Sequence, residues 1–286
     1  MTVEAAIGAA AGSPVAASRR VAGGSINEAL RVELADGRRA FVKTRRDPRP
    51  GEYAAEAASL AWLAEPGAVR VPAVIAVGED FLALEWVDSG TLDPAGAEAL
   101  GRGLAALHGA GAPAFGAFHD GPPELHIGPL GFDATPAEGW PELYAERLVR
   151  PLIARAVERG SLSARGAGAV GRACDRIAEL AGPPEPPARL HGDLWSGNVM
   201  AGADGGAWLI DPVSYGGHRE VDLAMLRLFG APSERIFSAY AEAAPLAEGH
   251  EQRVGLWQLF PLMVHAVLFG GGYGGSAEDA ARRYVG

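Results

Sequence analysis

Apolar positions in the first third of the chain fall in short runs bounded by turn residues. Leu30 to Leu34 and Arg39 to Thr44 are two of them, and Asp36-Gly37 between them is a strong hairpin signal. Val74 to Val77 and Phe81 to Val87 form a second pair, parted by Gly78-Glu79-Asp80. Between the pairs, Glu52 to Ala64 is rich in Ala and Leu and predicts a helix that stops at Pro66-Gly67. From Pro94 onward the pattern turns helical. Pro94 to His108, Trp140 to Arg159, Ala164 to Leu180, Glu220 to Phe229, Ser233 to Ala243 and Gln252 to Phe269 all predict helices. Residues 111 to 138, rich in Gly and Pro, predict a long irregular excursion. Pro183 to Pro187 predicts a stiff connector. Val199-Met200 and Trp208-Leu209-Ile210 predict a short hairpin across Gly205-Gly206. The order of elements is that of an α+β chain without internal repeats: a small β-rich lobe, residues 1–88, then a larger, mainly helical lobe, residues 89–286.

Composition narrows the partners. The 286 residues suffice for both lobes. A net charge of -10 speaks against nucleic acid, whose phosphates need clustered Lys and Arg. The single cysteine, Cys174, excludes an intrachain disulfide and any cysteine-based metal cluster, and its helical setting suits a small apolar filler. The N-terminus has no early Lys or Arg and does not read as a signal peptide. The most apolar stretch, Val254 to Phe269, carries Gln258, Pro261 and His265 and is short for a bilayer, so it predicts a buried helix. A cytoplasmic protein with no membrane partner is expected.

The chemistry is concentrated in His191-Gly192-Asp193-Leu194-Trp195-Ser196-Gly197-Asn198, followed by Ile210-Asp211-Pro212. An Asp, an Asn five residues on and a later Asp after an apolar run is the spacing of a phosphoryl-transfer site. Asp193 is the candidate base or hydroxyl-orienting group. Asn198 and Asp211 are the candidate Mg²⁺ ligands, hard oxygen donors of the kind magnesium prefers. Each also suits a plain turn, and it is the spacing that favours the chemical reading. Lys43 ends Ala40-Phe41-Val42-Lys43, close to the V-A-I-K pattern of a nucleotide-phosphate lysine. Glu56 on the next helix is its candidate ion-pair partner, with Glu52 one turn earlier as a competitor. Gly23-Gly24-Ser25 would let backbone N–H groups approach phosphate oxygens. Glu85-Trp86-Val87 would offer backbone groups to an adenine edge, Glu85 and Val87 being the named contacts. ATP and Mg²⁺ are the cofactors this set implies.

Several stretches resemble the fructosamine/ketosamine kinases, relatives of aminoglycoside phosphotransferases and choline kinases. They are Gly23 to Asn27, Phe41-Val42-Lys43, Glu56 to Leu60, Leu104 to His108, Tyr144 to Arg147, His191 to Val199, Asp211 to Glu220, Ser238-Ala239-Tyr240 and Leu259 through Tyr273. Trp195 inside H-G-D-L-W-S-G-N-V, and D-P-V-S-Y with G-H-R-E after it, are narrower than the general pattern. The resemblance implies a two-lobed protein-kinase-like fold and ATP-dependent phosphorylation of a ketosamine's sugar moiety, free or protein-bound, at the 3-hydroxyl in the best-known members. Such 3-phosphates shed the sugar, which implies deglycation repair. It also makes Trp195, Tyr215, His218, Glu220 and His265 acceptor-side candidates, each with a structural alternative: bracing the catalytic loop, capping a helix, or a satisfied core histidine. Three departures stand out. Ser25 replaces a cysteine common in that loop, Gly216 an aromatic of eukaryotic relatives, and the helix around His265 is less polar than in some relatives. An aminoglycoside, choline or another small alcohol as acceptor, and a non-catalytic nucleotide-binding module, are the rival readings. Oligomeric state and physiological acceptor are not set by the sequence.

Overall fold

The computed structural model describes residues 2–21, 28–118 and 123–285. They form two compact units: Met1–Leu100 with Gly197–Pro212, and Gly101–Ser196 with Val213–Gly286. The units do not follow one cut of the chain, because residues 197–212 pack with the first.

In the first unit, five strands make one antiparallel sheet in the order β1-β2-β3-β5-β4: β1 (Val15–Arg20), β2 (Glu28–Leu34), β3 (Arg39–Thr44), β4 (Val74–Val77) and β5 (Phe81–Glu85). Helix α1 (Val3–Ala11) covers one face. Its Ile7 joins Leu30, Val32, Ala40, Val42, Phe81 and Ala83 in one core cluster. Helix α2 (Glu52–Ala64) covers the other face, where Tyr53 and Leu60 meet Leu82 and Leu84. Side chains alternate across a strand. Phe81 and Ala83 therefore go to α1, while Leu82 and Leu84 go to α2. The same alternation along β3 sends Val42 to α1 and Lys43 to the α2 side.

The hairpin of β9 (Val199–Ala201) and β10 (Ala207–Leu209) belongs to this unit through specific bonds. The Leu209 N–H donates to the Arg70 carbonyl at 2.8 Å, and the Gly90 N–H to the Ala201 carbonyl at 2.9 Å. The Arg70 guanidinium stacks 4.1 Å from the Trp208 ring and pairs with Asp204 at 2.8 Å.

The second unit is mainly helical. It takes helix α3 (Pro94–Gly109) from Gly101 on, which leads into the hairpin of β6 (Glu124–Ile127) and β7 (Leu130–Asp133). A π-helical segment, Glu142–Val149, runs directly into α4 (Arg150–Glu158), and α5 (Ala164–Asp175) and α6 (Ile177–Leu180) follow. Strand β8 (Ala188–Leu190) pairs with β11 (Tyr215–Gly217). Helices α7 (Glu220–Leu228), α8 (Arg235–Ala243), α9 (His250–Trp257), α10 (Leu259–Phe269) and α11 (Tyr273–Val285) complete it. Tyr144 and Trp257 meet edge to face at 5.1 Å in its core, the Tyr144 hydroxyl donates to the Leu256 carbonyl at 2.7 Å, and Cys174 is buried there.

The helix and strand positions predicted from periodicity recur, with corrections. The span 111–138 is not wholly irregular, since it holds β6 and β7. The stretch Gln252 to Phe269 is two helices; Pro261 lies in the first turn of α10, where a missing N–H costs nothing. Ala164 to Leu180 likewise divides at Arg176. Helices α1 and α11 and strands β1, β8 and β11 were not expected. Among the described residues no helix is long and apolar enough to cross a membrane.

Candidate active site

Lys43 is buried, and its ammonium lies 2.7 Å from the Glu56 carboxylate and 2.5 Å from that of Asp211. Strand alternation aims it there. On α2, Tyr53, Glu56, Leu60 and Leu63 share one helical face, three and four residues apart, so Glu56 rides inward with the apolar side chains. The competitor Glu52 is engaged elsewhere: its carboxylate takes Arg45 at 2.5 Å and the Arg49 N–H at 3.1 Å. Burial disfavours the Lys43 ammonium, but the Glu56 and Asp211 carboxylates outweigh it and hold the pKa above the ordinary lysine value.

Asn198 and Asp211 flank the open end of the β9–β10 hairpin. The Ile210 N–H donates to the Asn198 carbonyl at 3.0 Å, which sets the two residues at the same end. Asp211 has φ of 56°, a left-handed conformation that among the described non-glycine residues it alone adopts. Such strain persists only where the surroundings impose it, and it collects at functional positions. Here Pro212 follows directly, and Lys43 holds the carboxylate. The donor set, one amide and one half-exposed carboxylate, suits Mg²⁺, which binds few protein oxygens and keeps several waters.

Asp193 sits in the second unit, on the loop leaving β8. Asp222 of α7, fully buried, holds the start of that loop. Its carboxylate accepts the N–H of His191 at 2.7 Å and of Gly192 at 3.0 Å. His108 Nε2 approaches the same carboxylate at 3.3 Å, and His108 Nδ1 lies 2.8 Å from the Tyr240 hydroxyl. With Nε2–H donating to Asp222, Nδ1 accepts from Tyr240. Burial pushes the Asp222 carboxyl up, yet the bond from His108, the neighbouring His108 and His191 imidazoles and the His191 N–H outweigh it and hold the group below the ordinary range. The Val213 N–H returns to the His191 carbonyl at 2.9 Å. Gly192 has φ of 85°, and a Cβ there would strike the Val213 carbonyl, so the glycine of H-G-D is required by the turn. Asp222, His108 and Tyr240 were missed as site residues. His108 and Tyr240 lay within stretches of family likeness, but only the tertiary contact reveals the network.

The remaining candidates divide. Trp195 is partly exposed, its ring edge-to-face with Phe229 at 6.1 Å. His265 joins the same aromatic group, 4.9 Å from Phe229. Tyr215 is buried with a hydroxyl that finds no hydrogen-bond partner among the described residues, and burial with the nearby Asp222 and Asp193 charges drives its pKa far up. His218 is buried, stacked on Trp257 at 5.4 Å, and accepts the Glu220 N–H at Nδ1 over 3.3 Å. Glu220 is fully engaged: Arg253 takes both carboxylate oxygens at 2.9 and 2.6 Å, and Trp257 Nε1 donates at 2.8 Å. The geometry thus gives His218 and Glu220 core partners, while Trp195 and His265 come together at the surface. The Gly216 departure has a steric reason, since a Cβ there would meet the Ala114 carbonyl. The Glu85 N–H is committed to the Ala73 carbonyl at 2.8 Å and is not free for a ligand. Gly23, Gly24 and Ser25 lie outside the described residues.

Comparison with known proteins adds an independent line. The family model described as fructosamine kinase matches residues 1–285. A probable ketoamine kinase of Thermus thermophilus is 38% identical over 257 residues, covering 89% of this chain and 88% of its own. The crystal structure of a Thermobifida fusca protein assigned as a fructosamine-3-kinase superposes with a TM-score of 0.92 at 45% identity, over 99% of this chain and 98% of that one. A macrolide 2′-phosphotransferase of Brachybacterium faecium shares the fold alone, with a TM-score of 0.62 at 18% identity over 96% and 95% of the two chains.

Proposed function

The chain belongs to the fructosamine kinase family, a family of phosphotransferases with an alcohol acceptor, and we propose that it transfers the γ-phosphoryl group of ATP to the sugar hydroxyl of a ketosamine. The observation that carries the reading is Lys43, buried and held between Glu56 and Asp211. A buried lysine kept charged by two carboxylates is prepared for nucleotide phosphates, because an incoming polyanion can replace one carboxylate without leaving the ammonium unpaired.

Each residue then has a task. Glu56 orients Lys43 toward the α- and β-phosphates. Asp193 accepts the proton of the acceptor hydroxyl as that oxygen bonds to the γ-phosphorus and the bond to the ADP oxygen breaks. Asn198 and Asp211 would hold Mg²⁺, which neutralises phosphate charge. The Glu85 carbonyl and the Val87 backbone suit an adenine edge, and Gly23, Gly24 and Ser25 suit the phosphates. Asp222 keeps His191 and Gly192 in place and so sets where Asp193 begins. Transfer to the 3-hydroxyl, with shedding of the sugar from the phosphorylated product, makes the enzyme a deglycation catalyst. It would work in the cytoplasm, where ATP and glycated amines occur together.

The test is ADP release with fructoselysine, ribuloselysine, an aminoglycoside and choline side by side. Release with a ketosamine, and a phosphate located on its 3-oxygen by NMR, supports the reading. Release with an aminoglycoside or choline and none with a ketosamine overturns the substrate; no release with any of them favours a non-catalytic module.

A further inference from the structure

A cavity of about 690 Å³ opens between α7, α8, α9 and the end of α11, all in the second unit. That is the size of a small-molecule site. Leu223, Phe237, Tyr240, Leu246 and Val254 give it an apolar lining, and Asp193, Trp195 and His265 have no part in it. Two of its walls belong to the anchor of the catalytic loop. The Tyr240 hydroxyl lies 2.8 Å from His108 Nδ1, and Leu223 follows Asp222, the carboxylate that takes His108, His191 and Gly192.

Most charges around this cavity are already paired. Glu220 is held by Arg253 and Trp257. The Arg227 guanidinium lies 3.6 Å from the Phe237 ring centroid and 3.6 Å from the Glu234 carboxylate, so it has an aromatic face and an acid beside it. Arg283 and Glu251 are different: both are exposed, and no ion pair joins either to another described residue. The fold brings them to one rim. The Tyr284 hydroxyl donates to the Gln252 carbonyl at 2.6 Å, which ties the end of α11 to the first turn of α9, and Arg283 and Glu251 each stand one residue before that pair. A guanidinium and a carboxylate that do not close on each other, beside an apolar lining, are complementary to a molecule with both charges and an apolar body. A lone anion is repelled by Glu251 and a lone cation by Arg283, so a singly charged ligand gains less.

We infer that this cavity binds a free α-amino acid with an apolar side chain, its carboxylate on Arg283, its ammonium on Glu251 and its side chain against Leu223, Phe237 and Val254. The inference is independent of which acceptor the enzyme phosphorylates. The occupant also acts on the catalytic loop. A ligand held between α7, α8 and α9 opposes any opening that parts them, and α7 and α8 carry Asp222 and Tyr240. Occupancy therefore tightens the hold on His191 and Gly192.

The experiment titrates the whole chain with L-phenylalanine, N-acetyl-L-phenylalanine and L-phenylalaninamide by calorimetry, in wild type, Arg283→Gln and Glu251→Gln. Both residues are exposed, so the substitutions leave the fold intact, and equal thermal unfolding midpoints without ligand check this. Phenylalanine should bind tightest. Each blocked analogue on wild type, and phenylalanine on each variant, should bind about two- to five-fold more weakly, the worth of one partly exposed ion pair. Arg283→Gln should not weaken the amide further, nor Glu251→Gln the N-acetyl compound. Hydrogen exchange of the His191 and Gly192 amides should slow by at least about twofold at saturation with phenylalanine. No binding of phenylalanine at millimolar concentration overturns the site, and so does binding that neither substitution weakens, since the amino acid then sits elsewhere on the protein. Equal affinity for the blocked analogues overturns the ligand class. Unchanged exchange at saturation overturns the action on the loop.

Discussion

Asp222→Asn tests how the catalytic loop is held. The native carboxylate accepts three hydrogen bonds, from the N–H groups of His191 and Gly192 and from His108, in a site sealed from solvent. Asparagine keeps one accepting oxygen and turns an NH₂ toward a second donor. The oxygen that takes His191 and His108 can stay, and the bond from Gly192 is lost, at about 1.5–3 kcal/mol. That is a sizeable share of an ordinary stability of about 5–15 kcal/mol. With a urea dependence near 3 kcal/mol per molar, the midpoint should fall by about 0.5–1 M. The loop carrying Asp193 loses its anchor, so turnover should drop in the fraction that still folds. KM for ATP should hold, because Lys43 and Asp211 belong to the other unit. The pH dependence has a defined sign. A folded pKa below the unfolded one means that Asp222 stabilises fully above the ordinary aspartate value and that this is lost as pH falls through the folded pKa. Wild type should therefore lose stability in acid more steeply than Asp222→Asn. A variant whose urea midpoint and turnover both match wild type at neutral pH would refute the claim that this carboxylate holds the loop.

Further outcomes separate chemistry from scaffolding. Asp193→Asn should cut turnover by about 10²- to 10⁴-fold with urea midpoint and ATP affinity unchanged; retained turnover removes it from its role. Asp211→Asn and Lys43→Met should each weaken Mg²⁺·ATP binding at least tenfold by calorimetry, and normal affinity in either contradicts the phosphate-and-metal assignment. Gly192→Ala should destabilise by about 2–4 kcal/mol, since a Cβ meets the Val213 carbonyl at a positive φ; a wild-type unfolding midpoint would show that the turn tolerates a side chain. Tyr215→Phe removes a buried hydroxyl without a partner among the described residues, so its melting temperature should hold or rise by a few degrees. A clear fall would mean that the hydroxyl has a partner in solution.

What was legible in the sequence was whatever is encoded locally. Short apolar runs bounded by turn residues placed β2 to β5, and Glu56 could be named on the next helix, but its choice over Glu52 follows from the inward face it shares with Tyr53 and Leu60. The offset from Asp193 to Asn198 and the hairpin to Asp211 were readable because both depend on neighbours in the chain. Strands β8 and β11 were not, being three residues each; they exist because Tyr215 pairs with Leu190 across an intervening hairpin. Helix α1 is Ala-rich and weakly patterned, and its place follows from the sheet face that Ile7 covers.

The acceptor-side candidates show the same divide more sharply. Glu220 and His218 carry chemistry-bearing groups two residues apart, and nothing local distinguishes a substrate contact from a buried ion pair. The answer lies with Arg253 and Trp257, more than thirty residues away in the chain. Removing Arg253 would leave a carboxylate buried and uncompensated, so this pair is bound to the fold and is poorly placed to exchange partners with a substrate. Trp195 and His265 have the opposite environment: partial exposure, ring contacts, and one unused lone pair. A group whose hydrogen bonds are already satisfied has little to offer an arriving molecule. An exposed ring or an unused acceptor does, and that difference separates the acceptor-side candidates which sequence alone had left together.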